Sequence, residues 1–218
     1  MESFWDLFNP ETIIQHGGLF LLLLVIFCEN GLVIGFFLPG DSLIFLSGLI
    51  CASDIRRVEL GENAWLGTDI TTLVMCMFIA AVLGSAFGYW FGYRVGPPLF
   101  KREDSLIFKR RYLEMTQAFY TKHGGKTLML GRFLPIIRTF APIIAGVIRV
   151  PLPVFMGYNV LGAAAWIASL SLIGYFLGVK YPAVENYLGY IIIGFIGITT
   201  VIVARQFIRE RRLVKAKE

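Results

Sequence analysis

An all-α integral membrane protein, with two inverted re-entrant helical hairpins and about three to four transmembrane helices forming an inverted repeat, is the fold class this sequence predicts. Three observations carry it. Of the 218 residues 56% are hydrophobic and only 16% charged, too little charge to cover a soluble globule of this size. Residues 70–93, 150–179 and 186–204 contain no Asp, Glu, Lys or Arg, and each comes near or exceeds the roughly 20 residues that cross a hydrocarbon core. Two further apolar stretches are broken by charges, glycines and prolines: ENGLVIGFFLPGDS at 29–42 and GRFLPIIRTFAPIIAG at 131–146.

The elements follow in order. The opening MESFWDLFNPET is acidic where a cleavable signal would be basic, so residues 1–12 read as a short interfacial helix presenting Phe4, Trp5, Leu7 and Phe8. Residues 13–52 form the first hairpin, with apolar limbs at 13–28 and 43–52. Between the limbs, Pro39-Gly40 has the chemistry of a type II turn, proline fixing φ and glycine supplying a positive φ. As a helix, 13–28 would be about 24 Å long, so a short transmembrane helix followed by a reverse loop is also open. The segment 53–69 carries Asp54, Glu59, Glu62 and Asp69 against Arg56 and Arg57, which suits the outer face. Residues 70–100 then cross inward to a basic linker or amphipathic helix, 101–126, containing Lys101, Arg102, Lys109, Arg110, Arg111, Lys122 and Lys126. Helices 150–179 and 186–208 cross outward and back, and the basic tail 209–218 stays cytoplasmic.

Parity then constrains 127–149. Both of its ends lie on the cytoplasmic side, so it enters and leaves by one face as the second re-entrant hairpin. Length agrees, since 140–148 as a helix rises only about 14 Å, half of a ~30 Å core. Self-comparison points the same way: HGG occurs at 16–18 and 123–125, holding the only two histidines. GYWFGYRVGPP from Gly88 has a counterpart in GYFLGVKYP from Gly174, with Arg94 and Lys180 at the same offset. Because these two helices cross in opposite directions, the halves are related by an inverted pseudo-two-fold axis, the arrangement from which transporters build an alternately accessible site.

Four charges dominate the chemistry: Glu29 and Asp41 in the first hairpin, Arg132 and Arg138 in the second. Each costs on the order of 3 kcal/mol at the bilayer centre, roughly 10 kcal/mol together if unpaired, more than a marginal fold tolerates. They must pair, meet water or hold a ligand. In a continuous helix Arg132 and Arg138 would diverge by about 120°. Pro135, with Pro142 beyond it, breaks that geometry, so both forks can turn into one cavity, and two forks suit a phosphate. Simpler readings stay open: the arginines could snorkel to headgroups, and Asp41 could cap the second limb. Gly84, Gly88, Gly92 and Gly96 recur every fourth residue and form a helix-packing face. Cys28, Cys51 and Cys76 lack metal-ligand spacing and read as packing residues. GGK at 124–126 lacks the context of a P-loop. No metal, cofactor or nucleic-acid partner is expected, and no catalytic residues are assigned: neither histidine has a Ser or Asp partner that would signal an enzyme.

Together, ENGLVIGFFLPGDSLIFLSG, GYWFGY, GRFLPIIRTFAPIIAG and GYNVLGAAAWIASLSLIGYFLG resemble the DedA family of bacterial membrane proteins, whose domain is shared with eukaryotic lipid scramblases. The resemblance implies a multi-pass protein of the bacterial cytoplasmic membrane, with two re-entrant hairpins, that recycles undecaprenyl phosphate, often in dependence on proton motive force. By that resemblance Glu29 and Asp41 are the required acids, and Arg132 and Arg138 the required arginines. Ser85 departs from the Asp or Asn that many relatives carry there, which puts a mechanistic role for that position in doubt. The expected function is translocation of a lipid phosphate, most simply undecaprenyl phosphate. In it Arg132 and Arg138 hold the phosphate, Glu29 and Asp41 carry protons, and Pro39, Gly40, Pro135 and Pro142 shape the hairpin tips. Expected partners are a polyprenyl-phosphate or phospholipid substrate, membrane lipid and protons; homo-oligomerisation stays open. The alternatives are a proton-coupled small-ion or drug transporter, in which the arginines only neutralise the acids, and a general phospholipid scramblase.

Overall fold

The computed structural model describes residues 10–32, 35, 38, 40–61, 64, 66–99, 121, 124–125, 128–129, 131–133, 135–187, 190, 194 and 197. Residues 1–9, Pro39, His123, most of the basic linker, most of the third charge-free span and the basic tail lie outside them.

Among the described residues every regular element is helical. The order is α1 (Pro10–Gly31), α2 (Gly40–Glu59), α3 (Ile70–Leu99), a 3₁₀ turn (Gly131–Phe133), α4 (Pro135–Val147), α5 (Leu152–Lys180) and a second 3₁₀ turn (Pro182–Tyr187). Two helices among the described residues are long and apolar enough to cross a membrane, Ile70–Val95 within α3 and Leu152–Lys180. At ~1.5 Å per residue they run about 40 Å, longer than a ~30 Å hydrocarbon core. Gly18 bends α1, since its φ of 53° and ψ of −150° are open to glycine and not to a helix. The straight part, Gly18–Gly31, and α4 are each about 20 Å long, short of that thickness.

Several boundaries differ from expectation. Residues 10–12, assigned to an interfacial helix, begin α1. The stretch 53–59, assigned to a loop, continues α2, because Asp54 is buried and accepts the backbone N–H groups of Leu66 (2.7 Å) and Gly67 (3.2 Å), tying the following segment back onto the helix. Gly40 is not the positive-φ residue of a type II turn; it starts α2. Its missing side chain serves a different end, since a Cβ there would overlap the Glu29 carboxylate. Pro142 is not at a hairpin tip but inside α4, whose first residue is Pro135. Proline suits a first helical position, where its missing N–H has no intrahelical partner to lose.

The helices meet at glycines, because without a hydrophobic drive between apolar surfaces close backbone approach supplies the packing. The most extensive pairs are α2 with α5, α3 with α4, and α1 with α3. On α2 and α5, a Cβ at Gly48 would strike the Ser171 carbonyl, and one at Gly174 the Phe45 carbonyl. On α4 and α3, a Cβ at Gly146 would strike the Tyr89 carbonyl, and one at Gly92 the Ile143 carbonyl. In both interfaces each glycine follows its helix's contacting carbonyl by three residues, so the two contacts have the same local construction. Gly84 approaches Phe27 on α1, and Gly88 faces Pro142, which puts the α3 glycine ladder to use on two neighbours. Between α4 and α5 the chain reverses at Arg149, whose φ is 54°, with Arg149 N–H bonded to Gly146 O and Val150 N–H to Ala145 O. This is a Schellman-type end, fixed to α3 by the Tyr89 hydroxyl donating to Val150 O at 2.6 Å.

The main core joins Leu22 and Ile26 of α1, Leu43, Ile44, Leu46 and Leu49 of α2, Leu73 and Met77 of α3, and Trp166 and Ile167 of α5. Phe20, Leu83, Trp90, Leu161, Ile173 and Phe176 point outward and are exposed, an apolar exterior that suits lipid contact.

Candidate functional site

Each charged residue is carried by a helix end. Glu29 and Asn30 occupy the last turn of α1, and Asp41 the first turn of α2. Arg132 sits in the 3₁₀ turn and Arg138 in the first turn of α4, with the helix restarting at Pro135 between them. That break lets two residues six apart in sequence face one place.

The structure brings all four together. Arg138 forks onto both acids, its Nη2 donating to Glu29 Oε1 and its Nη1 to Asp41 Oδ1 at 2.7 Å. Arg138 Nε has no hydrogen-bond partner among the described residues, although the side chain is only 6% exposed. Arg132 has a different shell. Its Nη1 donates to Asn30 Oδ1 (3.2 Å), and its Nη2 to Ser85 Oγ (3.0 Å) and Asn159 Oδ1, all neutral acceptors. The two guanidinium carbons lie 5.8 Å (Arg132) and 4.7 Å (Arg138) from the centre of the Trp166 ring. Glu29 is 1% and Arg132 4% exposed, whereas the Asp41 side chain keeps 30%. Asp41 is therefore the open end of an otherwise enclosed cluster.

The arginines do not snorkel, and Asp41 has partners beyond its own helix. The arginines are turned inward instead of reaching outward along a helix. Asp41 spends its Oδ1 on Arg138 and on the Trp166 indole N–H at 2.9 Å, both remote in sequence.

Three participants carry no motif or charge signal in the sequence, Asn30, Asn159 and Trp166, and a fourth, Ser85, stands there only as a departure from the family pattern with its role in doubt. Asn30 is itself oriented, its Nδ2 donating to Ile26 O at 2.8 Å. Asn159 donates to Val82 O at 3.2 Å while accepting from Arg132. Ser85 accepts from Arg132 Nη2, so the hydroxyl takes part in the site. The signal that could have found Asn159 and Trp166 is their spacing: seven residues is two helical turns, so both lie on one face of an otherwise apolar helix.

The VTT domain family matches residues 38–176. Protein DedA of Escherichia coli is 40% identical over 95% of this chain and 90% of its own length. The chain belongs to the DedA family. An uncharacterised membrane protein of Mycobacterium tuberculosis is 41% identical over 79% of the chain and 74% of that protein. Escherichia coli inner membrane protein YqjA is 32% identical over 85% of the chain and 78% of that protein. No solved structure matches. The chain is thus a membrane protein of the DedA family, and its VTT region carries Asp41, Ser85, Arg132, Arg138, Asn159 and Trp166. Glu29 and Asn30 come from α1, which precedes that region, so the cluster needs α1 to be complete.

Proposed function

We propose that this protein is a carrier, and not an enzyme, that moves a lipid phosphate across the bacterial cytoplasmic membrane, with undecaprenyl phosphate as the substrate and protons as the coupling ion. The observation that carries this reading is the pair of buried guanidiniums over one indole, where among the described residues Arg132 has only neutral partners and Arg138 Nε has none. Phosphate oxygens are the natural acceptors for such forks.

The charges suggest how coupling works. With both acids ionised, the four formal charges cancel and Arg138 is occupied. A proton on Glu29 or Asp41 leaves one positive charge and frees one arm of Arg138, so an incoming phosphate restores neutrality. Partly exposed Asp41 is the natural entry point for that proton. A ligand moves a conformational equilibrium only by binding its two states unequally, and the phosphate does so here because it competes with the carboxylates for Arg138.

The repeated glycine contacts of α2 with α5 and α3 with α4 support an inverted repeat. In this reading the first re-entrant hairpin runs from α1 to α2, the second precedes and includes α4, and α3 and α5 cross. The lengths of Gly18–Gly31 and α4 suit limbs that stop within the bilayer. The carboxyl terminus faces the cytoplasm by the distribution of Lys and Arg.

A second reading has support from Arg138's grip on both acids: a proton-coupled carrier of a small ion or drug in which the arginines only neutralise carboxylates. Proteoliposomes loaded with labelled polyprenyl phosphate separate the two. Lipid-phosphate transport is expected for the native protein, falling at least tenfold in Arg138→Lys, which keeps the charge and loses the fork. Unchanged transport in that variant argues against forked recognition, and small-ion transport with no competition from lipid phosphate favours the second reading.

A further inference from the structure

We propose that Trp166 is a positioning residue of the arginine site, holding Asp41 and both guanidiniums in the arrangement that receives the phosphate. The inference rests on the lipid-phosphate reading for its transport arm and on geometry alone for its spectroscopic arm. Trp166 is 2% exposed, and its side chain has two functions at once. Its Nε1–H donates to Asp41 Oδ1, the same oxygen that takes Arg138 Nη1. Its ring lies under both guanidiniums.

Two like charges held near one another repel, and in an enclosed site little water screens them. An indole face offsets this without adding a countercharge, because its quadrupole attracts both cations. A carboxylate in that place would instead occupy the donors that a phosphate needs. Tryptophan thus keeps Arg132 beside Arg138 and leaves their N–H groups for other acceptors, while its own N–H fixes which oxygen Asp41 presents.

The rest of the α5 face is built around this function. Two turns before Trp166, Asn159 anchors Arg132. Between them a Cβ on Gly162 would come within 3.0 Å of Arg132 Cδ and 3.1 Å of its Nε, so the bare backbone there makes room for the arginine stem. Asn159, Gly162 and Trp166 together form a continuous wall against which Arg132 lies.

The test uses Trp166→Phe, which keeps an aromatic face and loses the N–H, and Trp166→Leu, which loses both. In proteoliposomes with polyprenyl phosphate, Trp166→Phe is expected to raise KM about tenfold, the worth of one hydrogen bond to a charged group. Trp166→Leu is expected to raise it at least a further threefold through loss of the cation–π contact. In both, kcat per folded protein stays within about twofold. A packing role alone would lower the yield of folded protein and leave KM where it was, and that result overturns the proposal.

The spectroscopic arm needs no substrate. In a chain with Trp5, Trp65 and Trp90 changed to Phe, Trp166 emission in detergent should shift on Asp41→Ala and on Arg138→Gln, and stay unchanged on Glu59→Gln, an exposed control. Emission identical in all of these chains overturns the proposal. Emission that responds in a protein that moves no lipid phosphate overturns the transport reading and leaves the positioning role standing.

Discussion

Arg132 and Arg138 are both buried, both near the Trp166 ring and both carried by the same short stretch of chain, yet their surroundings are opposite. Arg138 is gripped by two carboxylates and Arg132 by two amides and a hydroxyl. Ion pairing removes a charge from further use, whereas neutral acceptors orient a guanidinium and leave its charge uncancelled by its direct partners. The difference assigns the two residues distinct tasks in the proposed cycle. Arg132 is the standing attraction for an anion, and Arg138 becomes available when a proton reaches one of its acids.

The comparison breaks most visibly in stability. Arg138→Met leaves buried Glu29 and part-exposed Asp41 without their shared cation and is expected to cost about 3–5 kcal/mol. Arg132→Met strands only neutral groups and should cost about 1–3 kcal/mol. Thermal unfolding in detergent checks the order, and adding Glu29→Gln to Arg138→Met should recover part of the loss, since neighbouring sites do not add. Equal costs for the two arginines would show that their shells do not differ in the way the contacts indicate.

The glycine interfaces offer a second comparison with a smaller effect. Gly174→Ala on α5 and Gly92→Ala on α3 each drive a methyl into a carbonyl of the neighbouring helix and should each cost about 1–3 kcal/mol. Gly157→Ala, with open space around it, should cost nothing and gain up to about 1 kcal/mol from helix propensity. A large difference between Gly174→Ala and Gly92→Ala would sharpen the comparison by showing that the two similar interfaces are unequally rigid.

What was legible in the sequence divides along physical lines. The four charges stood out because ionised groups in apolar segments are costly wherever the chain goes, so their mutual proximity could be argued without coordinates. The α3 and α5 spans followed from length and the lack of charge. Asn30, Ser85, Asn159 and Trp166 carry no such cost signal, since small polar residues and tryptophan are ordinary in membrane helices, and only packing brings them to Arg132 and Asp41. At Gly40 the local Pro-Gly pattern has turn chemistry, while the reason for glycine there is a carboxylate on another helix. Pro142 lies inside α4 and Pro135 starts it, and a pattern with two prolines does not say which of them starts the helix.

The smallest expected effect lies outside the membrane-spanning segments. Asp69 precedes α3 and accepts from Thr72 twice, from its N–H (3.0 Å) and its hydroxyl (2.7 Å), which holds its carboxyl below the ordinary aspartate range. A lowered folded value contributes stability above the unfolded value of about 3.9, and that contribution is lost as the pH falls through the folded value. Asp69→Ala should therefore unfold slightly earlier than the native protein at pH 7, with the gap closing under acid. A gap that persists unchanged at pH 2 would contradict this.

The most direct test of the division between the arginines is equilibrium binding of a short-chain polyprenyl phosphate to the purified protein and its variants. Arg132→Gln should lose binding at least tenfold with its fold intact. Asp41→Asn, which loosens the hold on Arg138, should bind more tightly than the native protein. Native affinity in Arg132→Gln, or weaker binding in Asp41→Asn, would contradict the account.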